Sequence, residues 1–231
     1  MTNWLDYYDR AWAKRGEFME QSLKEGCSLA ETFAFFDYHE RHHRLEMENA
    51  TGEMRYTPVA PPTVPHYFKL DTTSLLLDMA TGHDAVVEFG CGYGRRLLDL
   101  HLAGCDTPMV GVDPSRAGVA LAQRLAKPLD EDSMRFIVGG FDTEFVGNMR
   151  HLNRTLVFTH YATMYQDPFP EEFFKNINQW GQRVTLLFIE PLTGWNESFL
   201  TVLRKCRPSA LVWQLPAGDA SVIFAKDPKD D

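Results

Sequence analysis

With 231 residues, 44% apolar and 24% charged, the chain has the make-up of a soluble globular protein, long enough for one α/β domain and an appendage. A formal net charge of −9 argues against nucleic acid or an anionic membrane as a partner engaged through bulk charge. Cys27, Cys91, Cys105 and Cys206 form no C-x-x-C pair; with no basic-then-apolar leader and no apolar run of membrane-spanning length, free thiols and a cytoplasmic location are expected.

Residues from about 3 to 49 read as two helices. The first, Asn3 to about Glu25, carries Trp4, Tyr8, Trp12, Phe18 and Leu23 near helical spacing and ends at Gly26. The second starts at Ser28, with Glu31 three positions on, which is a capping-box pattern. Aromatic stripes of this kind are packing surface, and these helices are expected to lie over the main domain near a ligand mouth. Inside the second helix, His39-Glu40-Arg41-His42-His43 matches H-E-x-x-H. On a helix His39 and His43 share a face, as zinc ligands do. Arg41 within the motif, the crowding His42 and the charged flank at 44–48 weigh against a metal site, and a solvated helix face, or a histidine reaching into the substrate pocket, is expected.

Residues 50–66 contain four prolines and read as an irregular linker, leaving through His66-Tyr67-Phe68. A helix from about Thr72 to Ala80, capped by Asp71, precedes an alternation of strands and helices. Strands are expected at 85–89, 109–113, 134–138, 155–159, 184–190, 209–215 and 220–225. Helices are expected at 95–103, 115–126, 170–180 and 197–205. This alternation predicts an α/β fold: a doubly wound, mostly parallel sheet of seven strands with one antiparallel strand from a terminal hairpin around Pro216-Ala217-Gly218-Asp219. A helical cap and linker (1–69) would precede the main domain (70–231).

The first core strand runs into Glu88-Phe89-Gly90-Cys91-Gly92-Tyr93-Gly94-Arg95. Alternating glycines permit positive φ and leave no side chain between backbone and ligand. The helix that follows points unpaired N–H groups at the same spot. Asp113, ending the next strand some 25 residues after Glu88, suits a carboxylate accepting from a ribose diol. The dinucleotide fingerprint G-x-G-x-x-G/A is met at Gly90 and Gly92, but Arg95 fills its third small position.

The pattern Glu88-x-Gly90-x-Gly92-x-Gly94 resembles the first motif of class I S-adenosylmethionine-dependent methyltransferases. The resemblance covers roughly residues 70–226 and implies S-adenosylmethionine as the cofactor. Glu88 would order the loop or meet the cofactor's ammonium, Gly90, Gly92 and Gly94 would form the close-approach surface, and Asp113 would hold the ribose. Gly139-Gly140-Phe141-Asp142 looks like the family's adenine-edge segment. There Asp142 accepts from the exocyclic amine and Phe141 packs on the ring, or Asp142 caps a helix from Thr143 onward.

The fourth strand ends in Thr159-His160-Tyr161-Ala162-Thr163-Met164-Tyr165, which in the family faces the methyl group and the substrate. Thr159 is a cofactor contact on this reading. His160 is a candidate general base, its unperturbed pKa lying near neutrality, or else a plain hydrogen-bonding residue. Glu190, ending the fifth strand near Trp195, is a second candidate for contacting substrate. This half is loosely similar to sugar O-methyltransferases, and His160-Tyr161-Ala162-Thr163 replaces the Asn/Asp-Pro-Pro-Tyr/Phe tetrapeptide of amino-methylating nucleic-acid enzymes. The expected activity is methyl transfer to a small-molecule hydroxyl without a metal. The alternatives are a nicotinamide-dependent oxidoreductase or a non-catalytic binder of the cofactor or its demethylated product. No oligomeric state is assigned.

Overall fold

A computed structural model of the chain describes residues 4–48, 51, 53–58, 71–129, 133–143, 153–166, 168–180, 183–191, 197–207, 211–217 and 220–226. The N-terminal segment supplies α1 (Trp4–Lys24), α2 (Leu29–His42) and the strands β1 (His43–Met47) and β2 (Met54–Pro58). After α3 (Thr72–Ala80) come β3 (Ala85–Phe89), α4 (Arg95–Leu102), β4 (Met109–Asp113), α5 (Arg116–Ala126) and β5 (Met134–Val138). The second half contains β6 (Arg154–His160), a 3₁₀ turn at Thr163–Tyr165, α6 (Glu171–Asn178), β7 (Arg183–Pro191), α7 (Glu197–Cys206), β8 (Leu211–Ala217) and β9 (Ala220–Lys226).

The large sheet has the order β5-β4-β3-β6-β7-β9-β8. Its first five strands are parallel, and β9 runs antiparallel between β7 and β8. Every residue of β3 is buried, as a continuous apolar run covered on both faces requires. Its side chains alternate between two cores. Val86 packs with Leu97, Leu121 and Leu156 on one face, while Val87 and Phe89 pack with Phe173, Phe188 and Trp180 on the other. The chain steps outward from β3 to β4 to β5, then crosses back to β6 on the far side of β3. That reversal opens a crevice at the carboxyl ends of β3 and β6, where Phe89 and Thr159 are register partners.

The N-terminal helices share the first core: Met19, Phe33 and Phe36 are buried with Leu121 and Leu125 of α5. The capping box forms, with the Ser28 hydroxyl accepting the Glu31 N–H and the Glu31 carboxylate accepting the Ser28 N–H. Asp71 likewise accepts the Ser74 N–H at the start of α3. One expectation fails here. The second helix stops at His42 rather than continuing to about 49, and part of the expected linker is strand: β1 and β2 pair antiparallel, Leu45 opposite Tyr56 and Met47 opposite Met54. Leu45 and Met47 lie two apart, the strand period, and Leu45 and Met54 bury against Ala11 of α1. Residues 59–70, with His66-Tyr67-Phe68, and the turn residues Gly218 and Asp219 lie outside the described residues. No helix among the described residues is long and apolar enough to cross a membrane.

Candidate functional site

The turn after β3 is fastened to β4 from both ends. The N–H groups of Gly90 and Cys91 donate to the Val112 carbonyl at 2.7 and 3.1 Å. Asp113 accepts the Gly92 N–H at 2.7 Å through Oδ2 and the Ser115 N–H at 2.8 Å through Oδ1. Gly90 has φ +77°, and a Cβ there would come within 2.3 Å of the Ala162 Cβ, so the turn after β6 closes directly onto it. Gly92 lies under the Trp12 ring of α1, where a Cβ would stand 2.9 Å from the indole. Gly94 departs from expectation: its missing side chain would point at Phe136 and Ala122. It therefore makes room for the packing of β5 and α5 and does not border the cavity.

That cavity, of about 390 Å³, opens at the carboxyl ends of β3, β4 and β6 and is bounded by Glu88, Gly90, Gly92, Asp113 and His160 among others. Glu88 is fully buried and its Oε2 has no hydrogen-bond partner. Burial pushes its carboxyl up to about 8, the Arg96 charge pulling down and Asp113 and Asp99 pushing up. An unsatisfied buried carboxyl beside a cavity is costly unless something cationic or donating meets it. Burial also raises Asp113, with the Ser115 and Gly92 N–H groups opposing the rise. Of the two acids, Asp113 orders the loop and Glu88 retains an open valence. Glu88 and Gly90 thus fit the ammonium end of an amino-acid-bearing cofactor, and lone pairs of Asp113 border the space a ribose would take.

Phe141 borders the cavity and is fixed by Phe89 at 5.8 Å and Phe169 at 5.0 Å. Asp142 does not border it: the side chain is exposed, lying over Gly140, and the backbone carbonyl accepts from Asn176. The reading of Asp142 as an adenine contact is corrected accordingly, and the helix it might otherwise cap lies outside the described residues.

Two further assignments change at the end of β6. Thr159 is completely buried, and its hydroxyl donates to Glu190 Oε1 at 3.2 Å. Glu190 is equally buried, its Oε1 also accepting the N–H groups of Ala162 and Thr163 at 3.2 and 3.0 Å. Neither residue borders the cavity. Glu190 Oε1 and the Thr159 hydroxyl shape the turn from 159 to 163, while Glu190 Oε2 is buried without a hydrogen-bond partner, so the expected cofactor and substrate contacts are not made from the cavity wall. His160 and Tyr161 do face the cavity, with their rings stacked at 4.4 Å. Tyr161 takes a left-handed backbone, φ 56°, secured by its N–H donating to the Ile189 carbonyl at 2.8 Å. A non-glycine residue held there costs about 1–3 kcal/mol and accompanies sites where a side chain must be aimed.

The wall opposite comes from α1, through Trp4, Tyr8, Trp12 and Arg15. Trp4, Tyr8 and Trp12 belong to the aromatic stripe read from the sequence, and the helix lies by the ligand mouth as expected; Arg15, three residues on, was not part of that reading. Asp9 fixes the helix in place by accepting from the Ser115 hydroxyl at 2.6 Å and the Ala117 N–H at 3.1 Å, at the start of α5. Arg95, in the position a dinucleotide fold keeps small, pairs bidentately with Asp37 of α2 at 2.9 Å, reaches Asp99 at 2.8 Å and lies over the Phe33 ring. It joins α2 to the start of α4. His39 and His43 stack at 4.2 Å, one on α2 and the other opening β1, so H-E-x-x-H is not carried on a continuous helix. Glu40 is taken by Arg15 and the Tyr56 hydroxyl.

No protein-family model matches the sequence, and no curated protein matches it significantly. Solved structures do. A S-adenosylmethionine-dependent methyltransferase from Aquifex aeolicus superposes with a TM-score of 0.53 at 13% identity, covering 67% of this chain and 88% of that one. The fold is that of the class I S-adenosylmethionine-dependent methyltransferases. Geranyl diphosphate C-methyltransferase from Streptomyces coelicolor A3(2), solved with Mg²⁺, geranyl diphosphate and S-adenosylhomocysteine, gives 0.50 at 16% identity, covering 67% of this chain and 77% of that one. The Pnkp1/Rnl/Hen1 RNA repair complex gives 0.51 at 14%, covering 69% and 42%. This last likeness overturns the exclusion of nucleic acid. Net charge describes a whole surface, and the methyltransferase fold occurs in an RNA repair complex, so a charge of −9 does not bar such a partner.

Proposed function

We propose that the protein is a S-adenosylmethionine-dependent methyltransferase acting on a hydroxyl oxygen of a small molecule. The observation that carries the reading is the buried Glu88 carboxyl, with an unpartnered oxygen, sharing one cavity with the glycine turn, Asp113 and His160. Glu88 meets the cofactor's ammonium, Asp113 its ribose, and Phe141 packs on its adenine. What favours this cofactor over a nicotinamide dinucleotide is Arg95, whose guanidinium is fixed by Asp37 and Asp99 where G-x-G-x-x-G needs a small residue. When bound, S-adenosylmethionine supplies a methyl carbon on a cationic sulfur, so the hydroxyl oxygen's lone pair forms the C–O bond while the C–S pair leaves on sulfur, giving S-adenosylhomocysteine. His160 takes the hydroxyl proton. The α1 helix, held by Asp9 and Arg15, excludes water from the cationic centre as a cap.

The test is transfer of isotopically labelled methyl from S-adenosylmethionine into fractionated cell extract. Label in base-stable ethers of the small-molecule fraction is the expected result, and label confined to RNA or protein would refute the acceptor assignment. His160→Gln should lower turnover by about 10²–10⁴-fold while S-adenosylhomocysteine affinity stays within about threefold.

A further inference from the structure

Part of the cavity is built from rings. Tyr8 of α1 meets Tyr165 edge-on at 5.5 Å. Trp4 meets Tyr8 edge-on at 6.0 Å. Trp4 and Tyr165 stay 46% and 49% exposed, a large share for rings already packed on neighbours. On the other side stands the His160–Tyr161 stack, aimed by the left-handed turn at Tyr161.

The charges around this space are already matched. Arg15 pairs with Glu40, Arg95 with Asp37 and Asp99, and Arg96 with Asp99. The cavity's acids, Glu88 and Asp113, adjoin the glycine turn, where the proposed cofactor takes them. An anionic acceptor would meet arginines whose charge is already balanced, and a cationic one would compete with the cofactor for the cavity's two acids. A sugar presents a hydroxyl on nearly every carbon, each needing a partner once buried. Among the described residues the ring-lined part offers His160, Gln166 and the phenols of Tyr8, Tyr161 and Tyr165 as polar side chains, with Arg15 on the same face of α1 held by Glu40. Flat, weakly polar walls favour flat, weakly polar guests through edge and face contacts.

We propose that the acceptor is an uncharged aromatic alcohol, a phenol, whose ring lies between the Trp4–Tyr8–Tyr165 cluster and the His160–Tyr161 stack with its hydroxyl at His160. This rests on the methyltransferase reading and narrows its substrate class. The methyl ether forms as the phenolic oxygen's lone pair takes the methyl, the C–S pair stays with S-adenosylhomocysteine, and the phenolic proton passes to His160.

Calorimetry on the full chain saturated with S-adenosylhomocysteine tests it, with four probes: 2-naphthol, 2-naphthoate, methyl glucoside and a short single-stranded RNA. The expected result is 2-naphthol binding at least tenfold tighter than the other three, weakened at least tenfold by Tyr165→Leu, with S-adenosylhomocysteine affinity of the variant within twofold of wild type. Equal or tighter binding of the carboxylate, the glucoside or the RNA would overturn the proposal, as would 2-naphthol binding indifferent to Tyr165→Leu. Failure to bind S-adenosylhomocysteine at all would instead refute the reading beneath it.

Discussion

Glu88→Gln isolates the charge that the cofactor is proposed to meet. The Glu88 carboxyl is pushed from an ordinary 4.5 up to about 8 by complete burial. Between those values the folded protein holds a proton that the unfolded chain has released. The folded state therefore binds more protons, and stability falls as pH rises through this window. At about 1.4 kcal/mol per pH unit, the interval from 4.5 to 8 amounts to about 5 kcal/mol lost by pH 8 and nothing further above it. The glutamine amide keeps the shape and never ionises. Urea unfolding at half-unit steps from pH 5 to 9 should show the wild-type midpoint falling relative to Glu88→Gln up to about pH 8, then running parallel. Cofactor binding reverses the preference, because an ammonium selects the carboxylate. The ratio of wild-type to Glu88→Gln affinity for S-adenosylhomocysteine should rise about tenfold per pH unit up to 8 and then level; the ligand's own amino group titrates alike against both proteins and cancels. Stability profiles that stay parallel from pH 5 to 9 would refute the reasoning.

Four further variants test the packing and hydrogen bonding around the site. Gly90→Ala puts a methyl group against Ala162 at a left-handed backbone position. It should cost about 2–4 kcal/mol, seen as a drop of roughly 5–15 °C in Tm. Glu190→Ala leaves the Ala162 and Thr163 N–H groups and the Thr159 hydroxyl without their acceptor, at about 3 kcal/mol in urea unfolding. Glu190→Gln keeps an accepting oxygen and should stay within about 1 kcal/mol of wild type with turnover retained, which a catalytic carboxylate would not allow. Asp9→Ala removes an acceptor at the start of α5 and should lower stability by about 1 kcal/mol, with weaker cofactor binding because α1 loses its anchor.

The parts of the fold legible in the sequence were those governed by neighbours along the chain. The bounds of β3, β4 and β5 coincide with the segments read at 85–89, 109–113 and 134–138, because buried parallel strands are near-continuous apolar runs between turn residues, and the edge strand β5 alternates buried Met134 and Phe136 with exposed Arg135. The Ser28–Glu31 box and the Asp71 cap are contacts over three residues and could be read directly. The β1–β2 hairpin was hidden by the charges alternating with Leu45, Met47 and Met54, a period of two taken for a helix flank. Site residues held by distant partners were the least legible. Glu190 and Thr159 point away from the cavity because the turn after β6 needs acceptors and donors, and that demand arises 27 to 31 residues from Glu190 in sequence. Gly94 serves Phe136 on β5 rather than a ligand. Of the α1 wall, Trp4, Tyr8 and Trp12 were legible as a stripe near the ligand mouth, whereas Arg15 and the anchor, Asp9 meeting Ser115 106 residues away, were not.

The central claim is that the crevice at β3 and β4 holds an adenosyl amino-acid cofactor, and isothermal titration of the full chain with S-adenosylhomocysteine at pH 8.5 tests it most directly. One site per chain, weakened at least tenfold by Glu88→Gln, with no heat from NAD at the same concentrations, is the predicted result. Saturable binding of NAD, or no binding of S-adenosylhomocysteine or S-adenosylmethionine at millimolar concentration, would contradict it.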